Sequence, residues 1–306
     1  MLPSYPGRSD DALPNALEQR DALMQRLLGG APASSASRVV LFLDYDGTLA
    51  AIVDDPAKAT IGAETREVLR RSAATFTTGI VSGRSNEKLA RFLAGVDGLY
   101  LAGSHGLDIV GPGGETMRHE VALRARPVLE EASRQLEAAV GSVRGYLTED
   151  NLMCISAHYR MVAADDRELV HEAARRAVAQ SGGALQHREG KMVHELRPAV
   201  EWDKGRAAEW LLGEFASAGE RRGGQQRLES DGGGDGTSGS RLCPLFVGDD
   251  VADEDGFRFV ERVGGVGIKV GPRSLASAAT AASYQLDDPE QVRAFLEAMV
   301  SAAVPA

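Results

Sequence analysis

The chain has 306 residues, 43% of them hydrophobic, and its 34 lysines and arginines against 44 acidic residues give a formal charge of −10. At roughly 100–200 residues per domain the length predicts about two domains, and the negative charge argues against a nucleic acid or an anionic membrane as the main partner. Two cysteines are too few for a disulfide framework, the first residues do not resemble a secretory signal, and no stretch approaches the roughly 18 apolar residues of a membrane span. We therefore expect a cytoplasmic protein, and a monomer.

The N-terminal part, residues 1–36, contains one helical pattern over 12–28, followed from residue 29 by an Ala, Ser and Gly-rich linker. Apolar runs without alternating polarity come next, and such runs are typical of strands covered on both faces of a parallel sheet. These runs are 39–43, 77–81, 99–102, 245–247 and 266–270. Helical patterns alternate with them, at 63–74, 86–94, 206–215 and 255–263. The alternation predicts an α/β fold with a doubly wound, mostly parallel sheet.

Residues 110–197 have a different pattern, with helices predicted near 123–140 and 167–180 and two short strands after each. Polarity alternates over 190–197, which places two sets of side chains on opposite faces of a strand. The sets are Met192, His194 and Leu196 on one face and Lys191, Val193, Glu195 and Arg197 on the other. A sheet with one solvated face predicts a small α+β module, inserted between core segments 37–109 and 198–306, whose free face can bind a ligand.

Residues 217–241 are rich in glycine, serine and charged residues, and we predict a flexible loop within the core. A phosphate-binding loop is the alternative interpretation. The glycines, however, are not followed by Gly-Lys-Ser/Thr and do not open a helical pattern.

Two carboxylates follow the first apolar run. Asp44 and Asp46 lie in the segment DYDGT (44–48), and ligands of open α/β sheets bind outside the carboxyl ends of the strands. Gly47 allows a sharp turn after them. Carboxylates this close are stable together with a cation between them or with a shared proton. The alternative interpretation is a common Asp-Gly turn after a strand.

Polar groups also follow two further strands. The segment SGR (82–84) offers the Ser82 hydroxyl and exposed backbone N–H groups, which are suited to hold phosphoryl oxygens. The segment GDDVADED (248–255) follows the run 245–247, and helix capping explains only part of its acidity. Acids at two strand ends of one sheet favour a hard divalent cation, Mg²⁺. Lys204, an ordinary surface lysine if taken alone, is then a counter-charge for a phosphoryl group.

In order along the chain, 44–48, 82–84, Lys204 and 248–255 resemble the four motifs of the haloacid dehalogenase (HAD) superfamily of phosphatases. From residue 39 to the C-terminus the chain more narrowly resembles the trehalose-6-phosphate phosphatases. The stretches that carry this resemblance are GSHGL (103–107), EDN (149–151), AHYR (157–160), GKMVHELRP (190–198), WDKG (202–205) and GDDVADEDGF (248–257). It implies a HAD-like Rossmannoid core in which residues 110–197 form a mobile cap that recognises the sugar.

The resemblance implies a Mg²⁺-dependent hydrolysis of trehalose 6-phosphate to trehalose and phosphate. In the family the position of Asp44 is the nucleophile, which forms an aspartyl-phosphate, and the position of Asp46 is the general acid and then the general base. Mg²⁺ would be bound by the Asp44 side chain, the Asp46 backbone carbonyl and Asp249, with Asp253 near the water molecules of the metal.

The substrate contacts implied by the resemblance fall into two groups. Ser82 and Lys204 would hold the phosphoryl oxygens. Further contacts at the core are assigned to Thr48, Gly83, Arg84 and His105. Sugar contacts in the cap are assigned to Glu149, Arg160, Lys191 and Glu195. The expected partner is a small sugar phosphate.

Three other functions are left open by these motifs. One is a phosphatase for another sugar phosphate, of the sucrose 6-phosphate or mannosyl-phosphate type. A second is a phosphosugar mutase, which would keep Asp44 but move the phosphoryl group between sugar positions. A third, a non-catalytic sugar-phosphate sensor, is disfavoured because such a protein would be free to lose the nucleophile, which is present here.

Overall fold

The computed structural model describes residues 13–28, 39–228, 242–272 and 280–304, and two β-sheets organise them. The larger sheet consists of Val39–Leu43 (β1), Thr77–Val81 (β2), Leu99–Gly103 (β3), Asp108–Val110 (β4), Thr116–Arg118 (β5), Cys243–Gly248 (β10), Val266–Val270 (β11) and Tyr284–Leu286 (β12). The smaller sheet consists of Leu147–Asp150 (β6), Ile155–His158 (β7), Leu185–Gly190 (β8) and Val193–Pro198 (β9).

Helices in the described residues connect and cover these strands. They are Arg20–Leu28 (α1), Ala63–Thr75 (α2), Asn86–Phe92 (α3), Glu120–Arg124 (α4), Arg126–Val140 (α5), Arg167–Gln180 (α6), Lys204–Leu228 (α7), Glu254–Arg262 (α8) and Pro289–Ala303 (α9). Of the helices in this part of the chain, none is both long enough and apolar enough to cross a membrane.

The larger sheet has the strand order β12-β11-β10-β1-β2-β3-β4-β5. All neighbours from β12 to β3 are parallel, whereas β4 and β5 join the edge as antiparallel strands. The predicted α/β fold with a mostly parallel sheet is confirmed. The strands β4, β5 and β12 were not predicted, because three residues are too few to establish a polarity pattern.

The central strand β1 explains why its sequence does not alternate in polarity. Leu41 and Leu43 enter a core formed with α2 and α9, whereas Phe42 enters a second core formed with α7 and α8. Each such buried side chain contributes about 1.5–3 kcal/mol. With both faces of the sheet covered, polar side chains from these strands find solvent at the strand ends, where the candidate site lies.

The smaller sheet is antiparallel, in the order β6-β7-β9-β8. Leu129 and Leu136 of α5 and Ala174 of α6 pack with Ile155 and Leu196 against one of its faces. We call residues 119–198, which contain this sheet and its helices, the cap. The opposite face of the sheet lies toward the carboxyl ends of the core strands.

The start of the inserted module differs from the prediction. Residues 110–118 contain the end of β4 and all of β5; β4 pairs with β3 and β5 pairs with β4, so both belong to the larger sheet. The predicted boundary at residue 110 is therefore wrong by one hairpin. Short strands in a hairpin have the same polarity pattern in either sheet, so sequence alone does not assign them.

Three other predicted element bounds also need correction. The N-terminal helix begins at Arg20 instead of residue 12, and the helix predicted over 123–140 is divided between α4 and α5. Helix α7 continues through Leu228, so residues 217–228 are helical instead of part of a flexible loop. Their alanine, glutamate, glutamine and arginine residues favour a helix. Residues 1–12, the linker 29–38 and residues 229–241 lie outside the described residues.

The alternating stretch 190–197 proves to be a hairpin turn followed by a strand. Gly190 pairs with Val193, so Lys191 and Met192 form the turn, where Met192 has φ +66°. The alternation then holds along β9, because Leu196 packs in the cap core while Glu195 faces the core domain. The turn position carries Lys191 beyond the sheet, toward the core strands.

Candidate active site

Three neighbouring strands place the candidate site at one edge of the larger sheet. Asp44 follows β1, Ser82 follows β2 and Asp249 follows β10, and β1 lies between the other two strands. The backbone N–H of Asp44 donates to the carbonyl of Val247, 2.9 Å away, which continues the pairing of β1 with β10 to the first site residue. The strand order alone therefore brings together residues that are far apart in sequence.

The centre of the site is a buried ion-pair cluster. Lys204 Nζ donates to Asp44 Oδ1 and to Asp253 Oδ1, each at 2.7 Å, and all three side chains are buried. Burial, together with the charges of Asp253 and Asp249, raises the pKa of Asp44 well above its usual value in spite of Lys204. Burial opposes the charge of Lys204, but the two carboxylates hold its pKa above the usual value. Lys204 is therefore a cation fixed beside the Asp44 carboxylate.

Asp253 organises the loop that follows β10. Its Oδ2 accepts hydrogen bonds from the backbone N–H groups of Asp249 and Asp250, both at 2.9 Å, while its Oδ1 accepts from Lys204. Because each of its two oxygens already has a protein partner, Asp253 positions Asp249 and Lys204.

The donor set fits a hard divalent cation. Carboxylate oxygens of Asp44, Asp249 and Asp253 lie within 4.8 Å of one another. Burial and the neighbouring carboxylates raise the pKa of Asp249 to about 6, although Lys191 acts in the opposite direction. An excess of buried carboxylate oxygens is the environment that Mg²⁺ stabilises. Asp44 and Asp249 would hold the ion, with Asp253 behind them.

Gly47 makes the approach of Asp249 possible. Its φ is +77°, a backbone conformation that favours glycine, and a Cβ at this position would lie 2.1 Å from Asp249 Oδ2. The predicted sharp turn after the two aspartates is confirmed. The glycine is required for a second reason that sequence did not indicate, namely the space for a carboxylate from another strand.

Asp46 and Arg84 form a bidentate pair. Arg84 Nε and Nη2 each donate to an Asp46 carboxylate oxygen at 2.7 Å, and the Arg84 side chain is buried against the rings of Tyr45 and Phe92. Arg84 Nη1 has no hydrogen-bond partner among the described residues and lies 3.9 Å from Glu149 Oε1. The guanidinium thus faces Asp46 on one side and the cap on the other.

The segment after β2 offers fewer free donors than expected. The Ser82 N–H donates to the Ala102 carbonyl at 3.0 Å, and the Arg84 N–H donates to Ser82 Oγ at 3.2 Å. These two N–H groups are therefore already engaged, which corrects the expectation that they are exposed. The hydroxyl hydrogen of Ser82 keeps its capacity to donate. At Gly83 a Cβ would lie 2.8 Å from His105 Nε2, so this glycine admits the imidazole.

A charged triad joins core and cap through His105. Its Nε2 lies 2.8 Å from Glu195 Oε1 and its Nδ1 lies 3.1 Å from Arg197 Nη2. Arginine can only donate, so His105 Nδ1 accepts the hydrogen bond from Arg197. The proton of the neutral ring is then on Nε2, which donates a hydrogen bond to Glu195. Burial and then Arg197 lower the pKa of His105 to about 4. Although burial opposes it, Arg197 and His105 hold the pKa of Glu195 below its usual range.

A second polar cluster in the cap surrounds Glu149. Its Oε1 accepts from Lys88 Nζ at 2.9 Å, and its Oε2 lies 3.1 Å from His158 Nε2. Burial raises the pKa of Glu149, but His158 and Lys88 prevail and lower it to about 2. Lys88 also donates to the Asp150 carbonyl and to Asn151 Oδ1, both at 2.8 Å. A lysine of core helix α3 thus fixes the cap strand β6.

Lys191 reaches from the hairpin turn of the cap to the metal-binding loop. Its Nζ donates to the Asp249 carbonyl at 2.8 Å and to the Asp249 carboxylate. Arg160 Nη2 donates to the Lys191 carbonyl at 2.8 Å. The sequence predicted both residues as sugar contacts, and the structure adds a direct bond between the cap and Asp249.

A crevice that is open to solvent lies between core and cap. The predicted site residues that line it are Asp44, Asp46, Ser82, Gly83, Arg84, His105, Glu149, Arg160, Lys191, Glu195, Lys204 and Asp249. Thr48 and Asp253 are completely buried and do not line it. The hydroxyl of Thr48 has no hydrogen-bond partner among the described residues.

Sequence reasoning missed Lys88 and Arg197 as members of the site. Lys88 lies on a core helix, and its sequence context is that of any surface lysine, since no neighbouring residue indicates that α3 faces the cap. Arg197 could have been suspected, because it shares the Glu195 face of β9 and arginine is rarely buried without a partner.

This crevice is suited to phosphoryl transfer. A carboxylate fixed beside a lysine, with further carboxylates suited to a divalent cation, could act as a nucleophile with positive charge beside it for phosphoryl oxygens. The fold is that of the HAD-like hydrolases. A haloacid dehalogenase-like hydrolase from Bacteroides thetaiotaomicron superimposes with a TM-score of 0.54 at 18% identity, over 85% of this chain and 98% of that one.

Comparison with known proteins narrows this class. The model of the trehalose-phosphatase family matches residues 42–290. A trehalose 6-phosphate phosphatase of Zea mays is 35% identical over 98% of this chain and 81% of its own length. A probable trehalose-phosphate phosphatase of Oryza sativa subsp. japonica is 39% identical over 95% of this chain and 75% of its own length. The C-terminal domain of the C. albicans trehalose-6-phosphate phosphatase has the same fold, with a TM-score of 0.74 at 21% identity over 96% of this chain and 99% of that chain. The chain belongs to the trehalose-phosphatase family, whose members are phosphoric monoester hydrolases.

Proposed function

We propose that this protein hydrolyses trehalose 6-phosphate to trehalose and phosphate through an aspartyl-phosphate on Asp44. The observation that carries the proposal is the buried contact between Asp44 and Lys204, 2.7 Å apart, at the end of the central strand of a trehalose-phosphatase chain. This carboxylate is held where a phosphoryl group can enter between it and the cap.

In the first step a carboxylate oxygen of Asp44 attacks phosphorus, and the bond from phosphorus to the sugar oxygen breaks. Asp46 donates its proton to the departing sugar oxygen. Water then attacks the aspartyl-phosphate, Asp46 takes the proton of this water, and phosphate leaves while Asp44 is regenerated. Because Arg84 binds both oxygens of Asp46, substrate binding must free at least one of them. Ser82 and Lys204 hold phosphoryl oxygens.

Mg²⁺ is the proposed cofactor, which the Asp44 and Asp249 side chains and the Asp46 carbonyl would hold. When bound, it would supply positive charge that offsets the negative charge of the phosphoryl group. A bound cation also explains how a protein with a net charge of −10 can bind an anionic substrate. Several of its acidic residues would surround the cation, whose positive charge attracts the phosphate group.

The cap supplies the proposed sugar contacts. Glu149, Arg160, Lys191 and Glu195 line the same cavity as the phosphoryl site, and each presents a charged group able to bind hydroxyls. The Lys191 ammonium, which lies on Asp249, is placed to exchange this contact for one with the substrate or the metal site.

A panel of sugar phosphates tests the substrate. We expect trehalose 6-phosphate to have the highest kcat/KM in the presence of Mg²⁺, measured as released phosphate, against sucrose 6-phosphate, a mannosyl phosphate and glucose 6-phosphate. If another sugar phosphate had the highest kcat/KM, the protein would be a phosphatase of that substrate instead. An isomerised sugar phosphate without released phosphate would identify a mutase.

Asp44→Asn tests the nucleophile. We expect turnover to fall on the order of 10⁶-fold, the loss that removal of a covalent nucleophile causes in a serine protease, with the fold intact. The matched control is Asp97→Asn, which removes an exposed aspartate just before the amino end of β3, at the sheet edge opposite the site, and should retain full activity. Substantial residual activity in Asp44→Asn would contradict the aspartyl-phosphate.

A further inference from the structure

Three of the six histidines of the chain meet in the cap, outside the phosphatase site. His171 lies on α6, His187 on β8 and His194 on β9. His171 Nδ1 is 2.6 Å from His194 Nε2, and His187 Nε2 is 2.7 Å from His194 Nδ1. His194 is buried and points to the helix side of the sheet, away from the face of its neighbour Glu195.

The two ring contacts limit where the protons of His194 can lie. A hydrogen bond between two ring nitrogens needs one protonated and one unprotonated nitrogen, so a neutral His194 donates to one of its two neighbours and accepts from the other. In the arrangement in which His194 donates from Nδ1 to His187, its Nε2 presents a lone pair toward His171. This is the arrangement of a metal-binding histidine, whose second nitrogen donates to an outer partner that fixes the ring.

A carboxylate completes the cluster. Ligand atoms of His171, His194 and Glu189 lie within 4.8 Å of one another. Glu189 is directly opposite His194 in the pairing of β8 with β9, and it accepts a hydrogen bond from Tyr159 Oη at 3.1 Å. The Tyr159 ring in turn stacks on His194, with centroids 4.9 Å apart. Glu189 is exposed and His171 is half-buried, so an ion can enter from solvent.

We propose that this cluster binds a divalent transition-metal ion such as Zn²⁺ through His171 Nδ1, His194 Nε2 and the Glu189 carboxylate. His187 is the outer partner that orients His194. Two imidazoles and a carboxylate suit Zn²⁺ and similar ions, in contrast to the all-oxygen set at the strand ends, and a water molecule would complete four-fold coordination. This metal site is separate from the candidate active site, so the proposal does not depend on the proposed phosphatase function.

The geometry requires only a small adjustment. Nitrogens bound to one tetrahedral Zn²⁺ lie about 3.3 Å apart, so the His171 and His194 rings, now at 2.6 Å, need to separate by roughly 0.7 Å. His171 is on the partly exposed side of α6 and can make this movement. Metal binding would then join helix α6 to the β8–β9 hairpin, which carries Lys191 in its turn and Glu195 on its second strand.

Zinc binding to the chelator-treated, full-length protein tests the proposal. We expect calorimetric titration with Zn²⁺, in excess Mg²⁺ to occupy the carboxylate site, to show one ion bound per chain. His171→Asn should weaken this binding by at least about tenfold, the loss that removal of even an outer partner causes. His187→Asn should also weaken it about tenfold or more.

The matched control is His119→Asn, which removes a histidine outside the cluster and should bind Zn²⁺ as tightly as the wild type. A thermal shift provides a second readout, since Zn²⁺ should raise the Tm of the wild type and of His119→Asn but not of His171→Asn. Absence of binding in excess Mg²⁺, or equal affinity in His171→Asn and the wild type, would overturn the proposal and leave the three rings as a hydrogen-bonded chain only.

Discussion

At the scale of single residues, the site is defined by groups that already have partners. Asp44 has Lys204, Asp46 has Arg84, and Asp249 has Lys191. Each pair places a cation where the proposed reaction puts a phosphoryl oxygen or a metal ion. The pair of Asp44 and Lys204 is the one of these three in which both side chains are buried, and removing one member of such a pair costs about 3–5 kcal/mol, because the other charge stays buried. These two charges are therefore held together in the arrangement that the proposed reaction uses.

Gly47 shows how a residue without a side chain serves this arrangement. We predict that Gly47→Ala lowers kcat/KM on the order of 100-fold, because the new methyl group would displace the Asp249 carboxylate by about 1 Å. The positive φ adds about 1–2 kcal/mol of strain. Steady-state kinetics with the best sugar phosphate measures the loss.

Gly95→Ala is the control for this effect. Gly95 has φ +84° but open space around its Cβ position, so the substitution brings the backbone strain without the clash. Urea unfolding should show at least as great a loss of stability in Gly47→Ala as in Gly95→Ala, and only Gly47→Ala should lose activity. Near-normal turnover in Gly47→Ala would show that Asp249 tolerates displacement.

At the scale of secondary-structure elements, helix α3 connects the two halves of the site. The helix begins after the Ser82–Arg84 turn, and Lys88 on its first turn donates to two groups of the cap strand β6 and to the Asn151 side chain directly after it. The short segment after β3 makes a second connection to the cap. There His105 has a φ of +59°, and its ring contacts Glu195 of the cap. Elements of the core therefore set the position of the cap residues that face the substrate.

Lys88→Met tests this connection. Hydrogen bonds to a charged group contribute about 1.5–3 kcal/mol, so we predict that kcat/KM for trehalose 6-phosphate falls roughly tenfold or more as Glu149 loses its fixed position. Turnover of a small aryl phosphate, which does not reach the cap, should change by less than about twofold. Parallel assays with the two substrates measure the difference.

Arg91→Met is the matched control on the same helix. Arg91 is exposed and packs on the Phe92 ring instead of contacting the cap, so both substrates should be hydrolysed normally. If Lys88→Met reduced the two activities equally, Lys88 would stabilise the core and would not position Glu149.

At the scale of the whole molecule, stability and pH are linked through the buried interface between core and cap. His105 is neutral in the folded protein, with its pKa lowered to about 4 by burial and by Arg197. In the unfolded chain a histidine has a pKa of about 6.5. Between these pH values His105 is protonated in the unfolded chain but not in the folded protein. The free energy of unfolding therefore falls as pH decreases from about 6.5 to about 4.

We predict that the wild type loses about 1–2 kcal/mol more stability than His105→Asn when the pH is lowered from about 7 to about 5. Urea unfolding of both proteins at the two pH values, in the presence of a chelator, measures the difference in slope. The slope is the informative quantity, because the substitution also changes stability at neutral pH. Equal losses in the two proteins would show that protonation of His105 does not limit stability.

Sequence by itself determined the α/β class and the residues of the candidate site at the strand ends. Unbroken apolar runs such as 39–43 indicated strands covered on both faces, and Asp44, Ser82 and Asp249 were found because a motif directly follows each strand. These are local features, in which a few adjacent residues record both burial and chemistry.

Tertiary structure alone decided the pairings between distant residues. Nothing in the sequence joins Lys88 to Glu149 or Arg197 to His105, because each pair depends on how the cap packs against the core. The contact of His171 with His194 likewise depends on how helix α6 packs on the cap sheet. Tertiary structure also decided that β4 and β5 belong to the core, since short strands show the same polarity in either sheet. The motifs indicated the class of chemistry because they are local, whereas the partners of the charged groups were decided by how strands, helices and cap pack together.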